Sequence, residues 1–276
     1  SLWSPFLGPN PECESDPSQC RRRDMDAPDG GAGTDPVTQP WRLSCSPGRW
    51  CWEYPLPLLR VWGSDVNNVW AVGRSGTIMR WNGSAWSSQQ SGTRLALYGV
   101  GGVDAQNVWA VGEKGAILKW GGTQWQADPF SQGQSKDLVG IWGNDPSNVW
   151  AVGAQGTILK WNGTEWTSQA RGTTANLYSV WGVDANNVWA VGVVNVLKWD
   201  GRAWSVEASP SEDWLLGLWG SDARHVWAVG RTGRLFMFNG TAWSKQPSNT
   251  NNSIEGIWGS DVNNIWAVCR PVIFSD

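Results

Sequence analysis

The string VWGSDVNNVWAVG at 61–73 returns as GGVDAQNVWAVG at 101, WGNDPSNVWAVG at 142, WGVDANNVWAVG at 181, WGSDARHVWAVG at 219 and WGSDVNNIWAVC at 258. Its aspartates, Asp65, Asp104, Asp145, Asp184, Asp222 and Asp261, lie 39, 41, 39, 38 and 39 residues apart. A fixed period of ~40 residues marks an array of supersecondary units, each unable to bury its apolar face without a neighbouring copy. A catalytic site has no need of such repetition, whereas a packing unit requires it.

Four short strands are expected within each unit. In the third copy they read DLVGIWG, NVWAVG, GTILKW and TEWTSQ, rich in Val, Ile, Leu and Trp and separated by Gly, Asn, Asp and Ser. That is the pattern of antiparallel strands joined by turns, and helical spacing is absent. The repeats therefore predict an all-β chain, a six-bladed β-propeller of four-stranded antiparallel blades. Asp65 to Asn68 and its counterparts supply Asx turns after the first strand, and WNGSAW (81–86), WNGTEW (161–166) and FNGTAW (238–243) place Asn-Gly at a hairpin tip. The sequons headed by Asn82, Asn162 and Asn239 coincide with these turns, which already account for the asparagines.

The sixth copy runs NIWAVCRPVIFSD and breaks off after a third strand, while TQPWRLS at 38–44 resembles the fourth-strand string GTEWTSQ at 163–169. An N-terminal strand is therefore expected to complete the last blade and close the ring, with the propeller spanning 37–276. Residues 1–36, dense in Pro, Gly, Asp and Ser, are expected to form a flexible segment. Of the five cysteines, Cys13 pairs with Cys20 and Cys269 with Cys45 or Cys51 in the preferred arrangement; a Cys45–Cys51 bridge with Cys269 free is the alternative. Either implies an oxidising compartment and a secreted or cell-surface location.

A net charge of −3 and a pI near 5.3 provide no basic face for nucleic acid or anionic lipid. No apolar run reaches the ~18 residues that span a bilayer, and no charged-then-apolar leader opens the chain, so a soluble or already processed protein is expected. His225 is the sole histidine and fills a turn slot held elsewhere by Asn, which excludes a histidine triad or a multi-histidine metal site. No cofactor, metal or catalytic residue is assigned, and the protein is expected not to be an enzyme.

Most of the 25 tryptophans fall on four repeat positions. The second-strand set (Trp70, Trp109, Trp150, Trp189, Trp227, Trp266) and the third-strand set (Trp81, Trp120, Trp161, Trp199) are read as inter-blade core, each indole burying on the order of 200 Å². The fourth-strand set lies on the outer strand and is less committed to the core. Beside the third-strand indoles stand Arg80, Lys119, Lys160 and Lys198. Snorkelling over an indole is the plain reading of these cations.

Taken together, the strings VWG-x-D, NNVWAVG, G-x-I-x-K-W and N-G-x-x-W, over roughly residues 38–276, resemble the tectonin-type β-propeller repeats. That family consists of non-catalytic lectins that bind cell-surface glycans, so the resemblance implies a multivalent glycan-binding propeller. Its sites would be lined by Arg80, Trp86, Lys119, Trp125, Lys160, Trp166, Lys198 and Trp204. Gly101 in place of the first Trp, Phe238 in place of the third, and the shortened turn at 192–195 depart from the pattern. The alternative is an adhesive or scaffolding propeller that binds a protein partner. It would use the face carrying the loops that vary between copies, GRSG, GEKG, GAQG, GVVN and GRTG, together with the blade-to-blade connections.

Overall fold

The computed structural model describes residues 58–270 apart from Arg171, Ala208, Ser209 and Ser211. The chain divides into two units, Ser1–Arg42 and Leu43–Asp276. The first unit lies outside the described residues, as do the expected flexible segment 1–36, the closing string 38–44, the third strand of the last repeat, and Cys13, Cys20, Cys45 and Cys51.

Among the described residues there are five four-stranded antiparallel sheets and a sixth with two strands, each a meander in chain order. Sheet 1 holds β1 (Leu58–Asp65), β2 (Asn68–Gly73), β3 (Ile78–Trp81) and β4 (Trp86–Gln89); sheet 2 holds β5 (Leu97–Gly102), β6 (Val108–Gly112), β7 (Ile117–Trp120) and β8 (Trp125–Ala127). Sheet 3 is β9 (Leu138–Asp145), β10 (Asn148–Gly153), β11 (Ile158–Trp161) and β12 (Trp166–Ser168), and sheet 4 is β13 (Leu177–Asp184), β14 (Asn187–Gly192), β15 (Val196–Trp199) and β16 (Trp204–Glu207). Sheet 5 is β17 (Leu215–Asp222), β18 (His225–Gly230), β19 (Leu235–Phe238) and β20 (Trp243–Lys245), followed by β21 (Ser253–Asp261) and β22 (Asn264–Arg270). The first strands β1, β5, β9, β13, β17 and β21 pack side by side in that order, the arrangement of a β-propeller.

Turn chemistry fixes each meander. After the first strand, Asp65 Oδ1 accepts from the Asn67 backbone N–H at 2.8 Å and from Asn68 Nδ2 at 3.0 Å, and Asp104, Asp184 and Asp261 repeat the motif. These donors hold the carboxyls of Asp65, Asp104 and Asp261 below the ordinary carboxylate range. The Asn67 N–H is the leading cause at Asp65, and the side-chain amides of Asn107 and Asn264 lead at Asp104 and Asp261. A carboxyl whose folded pKa is depressed contributes its stability in full above its unfolded pKa of ~3.9 and loses it as pH falls through the folded value. The melting temperature is therefore expected to fall on acidification below pH ~4, modestly because these carboxyls face solvent. A variant carrying Asp65→Asn, Asp104→Asn and Asp261→Asn keeps an accepting oxygen in each turn and should show a shallower drop in thermal melts from pH 5 to pH 2.

Between second and third strands, a single 3-10 turn carries one residue in the left-handed region (Ser75, Lys114, Gln155 and Thr232, φ 52–54°) followed by a glycine. Hairpin tips between third and fourth strands are closed by Asn82, Asn162 and Asn239, whose Oδ1 accepts from the backbone two and three residues on.

The core lies between the sheets. Trp70, Trp109, Trp150 and Trp189 are fully buried, each in the interface with the following sheet. Trp150 lies 5.0 Å from Trp199 and 5.2 Å, edge to face, from Trp204 of the next sheet. Trp70 meets Trp120 and Trp125 in the same way. The fourth-strand indoles go deeper than their outer position in the sequence suggested: Trp125 and Trp166 are buried, and Trp86, Trp204 and Trp243 are half-buried. An outer strand only three residues long still leans its first side chain into the seam, where the second-strand indole of the preceding sheet receives it.

Candidate functional site

Beside the propeller axis the first strands crowd together. Two residues beyond the first-strand leucine or isoleucine (Leu97, Leu138, Leu177, Leu215 and Ile254) stands Gly99, Gly140, Ser179, Gly217 or Gly256 in sheets 2 to 6. A Cβ on Gly99 would stand 2.6 Å from the Val139 carbonyl oxygen of the next sheet, which explains the small residues. Sheet 1 alone carries a long side chain at this position, Arg60, and it is exposed.

The preceding position lines the channel with Leu59, Tyr98, Val139, Tyr178 and Leu216 in sheets 1 to 5, and with Glu255 in sheet 6. Leu59, Arg60, Tyr98, Val139 and Tyr178 form the wall of a cavity of about 440 Å³. It opens on the face where the second-to-third-strand turns emerge, at Arg74 and Ala154. Although Arg60 keeps its side chain open to solvent at the surface, partial desolvation by the strands around its guanidinium lowers its pKa, against the opposing pull of Glu255. Burial pushes the Tyr98 phenol up, the Asp137 and Glu113 carboxylates add to the rise, and Arg74 works against it.

A third position departs from the repeat on the same face. The residue before the first-strand leucine is Ala96, Asp137 or Asn176 in sheets 2 to 4 but Trp214 in sheet 5. Its indole lies 5.5 Å from Tyr178 at 31°, and the Arg231 guanidinium covers it at 3.6 Å. The loops that hold this rim are pinned to one another. Asp137 Oδ1 accepts from the Lys114 N–H at 2.9 Å, Asn176 Oδ1 from the Gln155 N–H at 2.9 Å, and Asp213 Oδ2 from the Thr232 hydroxyl at 2.8 Å. The mouth thus offers two tyrosine rings and guanidinium donors, with Trp214 and Arg231 packed behind Tyr178, a surface suited to apolar and hydrogen-bonding groups presented together. Among the described residues no cluster of three or more His, Cys, Asp or Glu is placed to hold a metal. His225 opens β18 just after the turn, its Nδ1 2.8 Å from an Asp222 carboxylate oxygen.

The residues assigned to sugar sites lie elsewhere, in the seams between sheets. Arg80 covers Trp70 and Trp120 at 5.1 and 5.3 Å, Lys119 covers Trp109 and Trp161 at 5.2 and 4.6 Å, Lys160 covers Trp150 and Trp199 at 4.9 and 5.2 Å, and Lys198 covers Trp189 and Phe238 at 5.3 and 5.2 Å. Each cation bridges the second-strand indole of its own sheet and a third-strand ring of the next, and burial lowers the pKa of Lys160. Trp166, expected to line a glycan site, is 3% exposed, and Trp125 is buried as well; Trp86 and Trp204 retain partial exposure. The structure brings these residues together as packing pairs. Cys269 is an exposed free thiol, and its expected partners lie outside the described residues.

The sequence reading passed over Arg60, Tyr178 and Trp214 as a site. Lining up the first strands shows the signal: Arg60 stands where the other copies need glycine or serine, Glu255 where they are apolar or tyrosine, and Trp214 where they are small or polar.

No protein-family model matches the sequence, and no curated protein matches it. Solved structures do match in fold. Ycf48 bound to a D1 peptide superposes with a TM-score of 0.61 at 16% identity, covering 77% of this chain and 74% of that one. The WD40 repeats of RRP9 give 0.60 at 9%, covering 74% and 70%, and the WD40 propeller domain of Doa1 gives 0.54 at 13%, covering 76% and 89%. At these identities the likeness is one of fold, and the tectonin-type resemblance of the repeats gains no family-model support. The chain is an all-β propeller whose structural neighbours are of the WD40 and Ycf48 type.

Proposed function

We propose that this propeller is a non-catalytic protein-binding scaffold that holds an extended peptide segment of its partner at the channel mouth. The observation that carries the reading is that Arg60, which breaks the repeat, lines one cavity of about 440 Å³ together with Tyr98 and Tyr178, and that a second repeat-breaking residue, Trp214, packs against Tyr178 at 5.5 Å. Variation on a fixed scaffold is where recognition is placed, and aromatic and arginine side chains are the usual anchors of protein interfaces. A structural neighbour, Ycf48, has been solved with a peptide bound. The loop face was the alternative reading of the sequence; the glycan reading is weakened by the enclosure of the indoles and cations it would use.

A displayed peptide library selected on the full chain tests the proposal. Arg60→Ser, which installs the residue found at Ser179, and Trp214→Ala should each weaken a selected peptide about 10- to 100-fold with the melting temperature nearly unchanged. If no peptide enriches while a glycan array retains the protein, and binding is lost on Lys160→Met, the lectin reading stands instead.

A further inference from the structure

Four of the connections between sheets run seven or eight residues, 90–96, 169–176, 208–214 and 246–252, but the one from sheet 2 to sheet 3 runs ten, 128–137. In three of the shorter ones a threonine carbonyl oxygen packs on the turn glycine of the sheet just left: Thr93 on Gly76, Thr173 on Gly156 and Thr250 on Gly233. The long connection meets its turn glycine, Gly115, through the Gln134 side chain instead. It is tied down at both ends. Ser131 Oγ accepts from the Ile117 N–H at 2.9 Å, and Asp137 accepts from the Lys114 N–H through its carboxylate and from the Ala154 N–H through its carbonyl, at 2.9 and 2.8 Å. Between these ties Gln134 and Lys136 border a second cavity, of about 190 Å³, together with the buried Ile158 and with Ser168 and Gln169 at the end of β12. The two cavities flank one stretch of chain on the same face: Asp137 lines the channel cavity, and its neighbours Lys136 and Leu138 line this one. No acidic side chain lines the second cavity, and the half-buried Lys136 makes no ion pair among the described residues. A cation without a counter-ion, beside serine and glutamine donors, is a setting for a carboxylate.

We propose that this cavity takes an acidic side chain, Asp or Glu, of the same extended peptide that is anchored at the channel mouth; the inference rests on the channel-mouth reading. The peptide then runs outward from the axis over sheet 3, past the turn at Ala154, which lines the first cavity, and Thr157, which lines the second. From β9 beside the channel to β12 at the outer edge is three strand spacings, ~14 Å. An extended chain advances ~3.3 Å per residue and returns its side chains to one face every second residue, so four residues cover ~13 Å and point both anchors at the protein. The acid therefore stands four positions from the channel anchor.

The test reads the register of peptides selected by the full chain from a displayed library. The channel anchor is the position whose alanine substitution costs affinity in the native protein and not in Arg60→Ser. Asp or Glu should be enriched four positions from it. Lys136→Met should weaken such a peptide about 5- to 10-fold with the melting temperature unchanged, and should leave its acid-to-glutamine version unaffected. Selection on Lys136→Glu should enrich Lys or Arg at the same position. Peptides that lose affinity in Arg60→Ser yet bind Lys136→Met at full strength, or that carry an acid at no fixed distance from the channel anchor, would overturn the second subsite and leave the channel-mouth reading standing. Peptides insensitive to both substitutions, or a library that yields none, would overturn the two together.

Discussion

Replacing Trp150 by alanine is expected to destabilise the array by about 3–5 kcal/mol, the range for deleting a fully enclosed large aromatic side chain. Trp150 has no exposed surface and touches the third strand of its own sheet and the third and fourth strands of the next at once, through Lys160, Trp199 and Trp204. Its removal leaves a void flanked by two indoles and strips Lys160 of half its cation–π contact. Both neighbouring rings belong to sheet 4, across the seam from Trp150, and cannot close the void without shifting that sheet against sheet 3. Each kcal/mol moves the melting temperature of a chain of this size by roughly 2–4 °C, so a fall of about 6–20 °C is expected in calorimetry. A variant that melts with the native protein would show that the seam is not the core.

Gly156→Ala should cost about 3 kcal/mol or more through a different mechanism. The residue sits at φ +67° in the turn after β10, and an alanine Cβ there would lie 2.0 Å from the Thr173 carbonyl oxygen. Left-handed backbone costs a residue with a side chain ~1–2 kcal/mol, and forcing backbone atoms apart adds ~1–3 kcal/mol. The obstacle is main chain, so no rotamer change relieves it. Substitution of the neighbouring Gln155, already left-handed with its side chain exposed, by glycine should be close to neutral, and the contrast in denaturant midpoints isolates the clash.

Much of the fold could be read from the period, because a repeat repeats its constraints. The Asp-x-x-Asn turns, the Asn-Gly hairpins and the second-strand indoles recur where the strings place them, since each satisfies a local rule or a neighbour one repeat away. What lay further from the string was harder to read. The burial of Trp125 and Trp166 depends on the lean of an outer strand toward the preceding sheet. The sandwiching of Lys160 between Trp150 and Trp199 depends on the spacing between sheets. The channel mouth was hidden for a related reason: attention to the loops that vary most passes over single departures inside a strand, such as Arg60 in a glycine position, where crowding at the axis makes the departure informative.

The sixth repeat illustrates the same limit. Cys269 occupies the second-strand end held by Gly73, Gly112, Gly153, Gly192 and Gly230 in the other sheets, where a Cβ on Gly153 would meet the Asp137 carbonyl oxygen at 2.0 Å. In sheet 6 the first strand begins one residue earlier, with Ser253 opposite Arg270 and Ile254 opposite Cys269. The substitution is visible in the sequence, but its meaning depends on which backbone faces it.

Hydrogen exchange on the full chain, with and without a library-selected peptide, tests the channel-mouth site most directly. Binding there should slow exchange at the starts of β5 and β13 and in the segment around Trp214, and leave the hairpin tips at 82–85, 162–165 and 239–242 unchanged. Slowed exchange at those tips and along β3, β7, β11 and β15, with the channel strands unaffected, would contradict it and return recognition to the seams between sheets.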